Sequence, residues 1–198
     1  GIPIHLMAEG RSEDFKKHFA GTHFFNPPRY LKLLEIIPTV KTDPEITKFL
    51  MSYGDLYLGK TTVLCKDTPA FIGNRVGVWG LLKVIDSMRK FDLNVDEIDK
   101  LTGPVIGRPK SATFRTSDVV GLDTLVKVAN NLYTGLVNDE AREMFKLSEE
   151  VTRLEQNKWL GDKTGQGFYK KTKNAKGETE ILTLDLKTFE YKPKAKAK

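Results

Sequence analysis

The sequence predicts an α/β segment followed by a mainly α-helical domain. Three observations carry this reading. Up to about residue 67, short strand-like runs alternate with amphipathic stretches of helical period. After it, Phe71, Ile72, Val76, Trp79, Leu82 and Ile85 recur at helical spacing. Between the two lies Asp67-Thr68-Pro69, where Thr68 can cap a helix that has Pro69 at its first position.

In chain order, Ile2-Pro3-Ile4 reads as the middle of a strand, and with Gly1 rather than Met at the start the expectation is a fragment of a longer protein. Ser12 to Phe19 is a charged, helix-like stretch. Thr22-His23-Phe24-Phe25 is short, aromatic and bounded by Asn26-Pro27-Pro28, a strand that ends at a turn. Leu31 to Ile37 is a second, more apolar strand, followed by a helix from Pro44 to about Leu58 and a short strand at Thr61 to Cys65. These strands are too few for a complete sheet, so they read as the back end of a larger α/β domain. From Pro69 to about Trp159 the pattern is helical, with breaks near Asp92-Leu93-Asn94, at Gly103-Pro104, across Arg108 to Thr116 and around Thr134-Gly135. Gly161 to Gly167 closes the helical part. Beyond it Glu180 to Leu184 and Thr188 to Tyr191 can pair as a hairpin.

Composition narrows the functional classes. The 198 residues are 39% hydrophobic and 29% charged, which suits one or two small domains with a real core. No apolar run approaches the ~20 residues of a membrane helix. One cysteine, Cys65, excludes an internal disulfide and fits a reducing, cytoplasmic setting. His5, His18 and His23 lack metal-ligand spacing, so no metal is assigned. Of the net charge of +6, the segment from Lys170 onward holds +5, so the body is not a basic surface. The lysines from Lys192 to Lys198 lack the arginine and interleaved aromatics of a nucleic-acid site and read as a solvated tail, with no nucleic-acid partner. Neither glycine cluster is a phosphate loop. Gly103 to Ser111 has the wrong spacing and a proline where donors are needed, and Gly161 to Gly167 does not follow a strand.

A turn centred near Arg29 would pair the two aromatic and apolar strands antiparallel and set His23 opposite Glu35, about 5 Å away. An imidazole with one nitrogen held by a carboxylate is a candidate general base. Each residue also has an ordinary reading: a partly exposed histidine at a strand end, and an acid at the end of an edge strand.

His23-Phe24-Phe25-Asn26-Pro27, Leu34-Glu35-Ile36, Cys65 to Arg75, Asp118-Val119-Val120-Gly121-Leu122-Asp123-Thr124 and Gly165-Gln166-Gly167-Phe168-Tyr169, in this order, resemble the L-3-hydroxyacyl-CoA dehydrogenases of fatty-acid β-oxidation. The stretch GRPKSATFRTSDVVGLDTL looks like the longer bacterial members, in which a hydratase-like domain follows. The resemblance implies an α/β remnant, the end of a Rossmann-type NAD-binding domain, over residues 1–67. A mainly α-helical dehydrogenase domain follows over 68–170, and 171–198 remain as basic tail or linker. It implies NAD as cofactor, an acyl-CoA substrate, and a homodimer formed through the helical domain. His23 matches the family's base and Glu35 the acid that orients it. Asn74 matches a polar residue that holds the substrate oxygen, although an Asn early in a helix is usually a local hydrogen-bonder. Asn26 faces the nicotinamide in this reading, or else simply serves the turn before Pro27. The family's glycine-rich dinucleotide loop and ribose-binding acid have no counterpart here, so the isolated chain is expected to be inactive. The competing reading is an oligomerisation and acyl-CoA-binding module without catalysis.

Overall fold

The computed structural model describes residues 2–195, which divide after Val76 into two compact units. Gly1 and residues 196–198, the end of the expected tail, lie outside the described residues.

The first unit begins with a one-turn helix, α1 (Ile4–Met7), where a strand was expected. The cause lies far along the chain. Asp67 accepts the amides of Ile4 at 2.8 Å and His5 at 2.9 Å, so a carboxylate sits on the donors that open the helix. Burial works against ionisation of Asp67, but those amides and the His5 imidazole hold its carboxyl below the ordinary range. After α2 (Glu13–Lys17), capped by Ser12, come β1 (Ala20–Phe24) and β2 (Leu33–Pro38). Helix α3 (Pro44–Leu56), capped by Asp43, then leads to β3 (Thr61–Leu64). The sheet order is β1-β2-β3, with β1 and β2 antiparallel and β2 and β3 parallel. Parallel neighbours need a crossover, which α3 supplies. Central β2 is buried without alternation from Leu34 to Ile37, as a strand covered on both faces must be.

The helix start expected at Thr68-Pro69 is displaced. Residues 68–72 form a turn in which Ala70 and Phe71 take φ of 59° and 49°, and α4 (Gly73–Lys90) begins only at Gly73. A tertiary partner decides this: the amides of Ile72 and Gly73 donate to Glu35, which anchors the start at that point.

The second unit continues α4, whose Val78, Leu81, Leu82, Ile85 and Met88 are buried. It adds α5 (Val95–Leu101) with a capping box between Asn94 and Glu97, then α6 (Phe114–Val120), α7 (Leu122–Gly135) and α8 (Glu149–Gln156). Interruptions fall at the expected residues near Asp92 to Asn94, at Gly103-Pro104 and after Gly135. However, α6 begins at Phe114, inside the break expected across Arg108 to Thr116, and Gly121, with φ of 96°, separates α6 from α7 where no break was expected. Phe114 and Phe168, with ring centroids 4.5 Å apart, join fully buried Leu122, Leu132, Phe145 and Leu154 in the core.

Residues from 171 onward are not a linker as far as Ala195. β4 (Tyr169–Lys173), β5 (Thr179–Asp185) and β6 (Glu190–Pro193) form an antiparallel sheet. The expected hairpin is present, with β4 added to it. Leu184 and Phe189 are buried, Trp159 stacks on Phe189, and the Tyr191 hydroxyl donates to the Gly167 carbonyl. Lysine content hid this sheet, because in a half-buried strand every second side chain faces water. Among the described residues no helix is long and apolar enough to cross a membrane.

Candidate active site

The register of β1 and β2 sets His23 directly opposite Glu35. His23 Nδ1 lies 2.6 Å from Glu35 Oε2, and Glu35 is fully buried while the imidazole keeps 32% of its side-chain surface exposed. The other carboxylate oxygen, Oε1, accepts the amides of Ile72 at 2.9 Å and Gly73 at 2.7 Å. A buried carboxylate needs such partners, and these two amides sit at a helix start where they would otherwise lack acceptors.

This wiring selects a tautomer. An ionised carboxylate can only accept, so Nδ1 carries the hydrogen and Nε2 keeps its lone pair. Phe25 packs edge-on to the imidazole with centroids 4.7 Å apart, and Phe71 lies 5.6 Å away on a tilt. The ring is thereby held by packing as well as by Glu35. Lys60 pins the connection between β1 and β2 by donating to the carbonyls of Leu31 and Pro28.

Gly73 lets the Phe25 ring approach the backbone at the start of α4. A Cβ there would collide with the Phe25 ring, approaching its Cε1 to 3.0 Å. Beneath the pair, Cys65 is buried, and burial followed by the nearby Glu35 charge pushes its thiol up to about 11, which makes it a poor nucleophile.

Of the residues singled out from the sequence, the structure brings His23 and Glu35 into contact. Asn74 stands in the first turn of α4, one residue beyond the Gly73 amide that holds Glu35, and is partly exposed. Asn26 is exposed in the bend after β1, ahead of a cis bond to Pro27. Sequence reasoning missed the Ile72 and Gly73 amides and the packing role of Phe71. The available signal was Glu35 itself, since an acid inside an apolar strand demands donors from elsewhere.

Comparison with known proteins gives a consistent picture. Residues 1–68 match the family described as 3-hydroxyacyl-CoA dehydrogenase, NAD binding domain, and residues 71–171 match 3-hydroxyacyl-CoA dehydrogenase, C-terminal domain. A probable 3-hydroxyacyl-CoA dehydrogenase of Bacillus subtilis is 54% identical over the whole chain, which covers 24% of that protein. One from Deinococcus radiodurans is 49% identical over 92% of the chain and 52% of its own length. The chain thus spans about a quarter and about half of these relatives. Among solved structures, FadB2 of M. tuberculosis superposes with a TM-score of 0.73 at 30% identity, over 85% of this chain and 57% of that one. The (S)-3-hydroxybutyryl-CoA dehydrogenase PaaH1 of Ralstonia eutropha gives 0.72 at 25% identity, over 84% and 56%.

Proposed function

Because the chain belongs to the 3-hydroxyacyl-CoA dehydrogenase family, we propose that the protein oxidises an L-3-hydroxyacyl-CoA to the 3-ketoacyl-CoA with NAD, in fatty-acid β-oxidation. The observation that carries this reading is the chain of contacts from His23 through Glu35 to the Ile72 and Gly73 amides. In it, Nε2 of His23 removes the hydroxyl proton as the carbonyl forms. Glu35 holds the opposite nitrogen and balances the charge that appears on the ring. Asn74 holds the substrate oxygen through its side-chain amide, and Asn26 faces the nicotinamide. NAD supplies the hydride acceptor.

The described residues fit only the reacting end of that cofactor. None of β1, β2 and β3 is followed by a glycine-rich turn. After β1 come Pro27 and Pro28, which have no N–H, and after β3 the amides opening α4 are already taken by Glu35. A pyrophosphate needs free donors at such a position. The 198-residue chain by itself is therefore inactive in this proposal, and the second reading, an oligomerisation and acyl-CoA-binding module, describes it in that state. Homodimerisation through the helical unit belongs to the same proposal, supported by exposed Val119, Val120 and Val137. A cytoplasmic setting is supported by the free, buried Cys65.

The test is NADH formation from a 3-hydroxyacyl-CoA by the chain alone and by the chain extended with a dinucleotide-binding segment. Turnover by the extended protein that survives His23→Gln would refute the assigned base.

A further inference from the structure

We propose that the cavity bounded by α5, the start of α6, β4 and β5 is a binding site for nucleotide-sized organic phosphates that carry a monoester phosphate. The cavity is about 780 Å³, enough for a nucleotide. It lies wholly within the second unit. Five cationic side chains line it: Lys100, Lys110, Arg115, Lys171 and Lys194. Two of these come from the segment that holds most of the net charge, so the sheet carries part of the supposed tail to join cations from the helices.

The three acids in the wall are committed to the protein. Asp99 accepts the amides of Thr113, Phe114 and Arg115 and the hydroxyl of Tyr169. Asp96 accepts the Thr183 hydroxyl and the Ala195 amide, and Asp162 makes a two-pronged pair with Arg115. Lys194 lies over the Tyr169 ring, and neither Lys110 nor Lys171 pairs with an acid among the described residues. With Arg115 offset by Asp162, and Asp96 and Asp99 keeping their charge while they accept from neutral donors, the lining has five cations against three carboxylates, and the cations that face the cavity are Lys110, Lys171 and Lys194. Beside it, Val105 and Ile181 are 77% and 51% exposed, an apolar wall suited to a base. A cationic pocket with an aliphatic wall favours a ligand that has both a multiply charged phosphate and a flat organic body.

Two sources share that chemistry, a free adenosine phosphate and the adenosine 3′-phosphate end of coenzyme A. NAD does not, because its pyrophosphate is esterified at both ends and its nicotinamide is cationic. The coenzyme A source rests in part on the dehydrogenase reading, which already has the chain bind acyl-CoA, whereas ADP binding does not. The Lys171 and Lys194 variants, which alter only this cavity of the second unit, tell failure of the one from failure of the other.

Calorimetry of the 198-residue chain with ADP, coenzyme A and NAD at near-physiological salt tests it. The expected result is a dissociation constant below about 1 mM for ADP or coenzyme A, with NAD at least about tenfold weaker. The tighter of the two ligands identifies the source. Lys171→Glu and Lys194→Glu should each weaken binding about tenfold, while Lys176→Glu, in the exposed β4–β5 turn, leaves it unchanged. Circular dichroism of each variant establishes that these surface changes leave the fold intact. Absence of binding at millimolar ligand overturns the proposal. So does inorganic pyrophosphate binding as tightly as ADP, an equal loss in Lys176→Glu, or a single-stranded oligonucleotide binding more tightly than ADP.

Discussion

Glu35 and Gly73 are joined by a 2.7 Å hydrogen bond from the first amide of α4 to the carboxylate that also holds His23. The imidazole, the central strand and the start of the long helix are therefore one hydrogen-bonded assembly. Loss of the imidazole removes the proposed base, and His23→Gln in the NAD-competent, extended protein should lower kcat at least ~100-fold. In Glu35→Gln the carboxamide oxygen keeps the two helix amides, so its NH2 turns to Nδ1 and forces the hydrogen onto Nε2. That is the wrong tautomer for a base, and a large drop in kcat with the fold intact is expected. Steady-state NADH formation by both variants, beside their thermal melts, checks this.

Gly73→Ala should disturb the site from behind. The new methyl group collides with Phe25, which packs on His23. Overpacking of this kind costs about 1–3 kcal/mol, and a lower melting temperature accompanied by reduced kcat in the extended protein is the expected result. Unchanged melting would show that Phe25 moves aside freely.

Asp118 gives the helical unit a pH dependence. It is buried, accepts the amides of Phe168 at 2.9 Å and Tyr169 at 2.8 Å, and burial pushes its carboxyl up to about 6 from 3.8. A Cβ on Gly167 would occupy the place of that carboxylate, so glycine is obligatory there. Because the folded protein binds the proton more tightly than the unfolded chain, this group's contribution is full below about pH 4 and is lost as pH rises through 6. The loss amounts to about 3 kcal/mol. Urea unfolding at a series of pH values should show this fall in the wild-type chain and not in Asp118→Asn. Parallel profiles for the two proteins would exclude it.

The 198-residue chain should not bind NAD at submillimolar concentration and should not oxidise a 3-hydroxyacyl-CoA, while its circular dichroism remains strongly helical. Missing pyrophosphate donors weaken dinucleotide binding by several powers of ten, at roughly 1.5–3 kcal/mol for each charge-assisted hydrogen bond. Calorimetry decides it, and stoichiometric binding in the micromolar range would mean that the chain builds a dinucleotide site of its own.

Light scattering should report a dimer at micromolar concentration. Val119, Val120 and Val137 are each more than half exposed on the helical unit, and paired copies would remove them from water. Substitution of Val119 and Val120 by Ser should then shift the protein toward monomer, and a monomeric wild-type chain would dispose of the idea.

The sequence by itself determined the elements whose causes are local. Amphipathic period marked α4 and the helical character that runs on to about Trp159, turn residues marked several of the breaks but not the one at Gly121, and the symmetry of a turn near Arg29 was enough to place His23 opposite Glu35. Tertiary structure decided whatever depended on partners distant along the chain. Asp67, more than sixty residues away, turned the expected strand at Ile4 into a helix. Glu35 drew the start of α4 from Pro69 to Gly73, and Asp96 held the end of a lysine-rich segment that reads locally as solvated tail. In each case a carboxylate, buried at Glu35 and Asp96 and partly buried at Asp67, had to find donors, and which donors it found depended on the packing of segments that no local pattern relates.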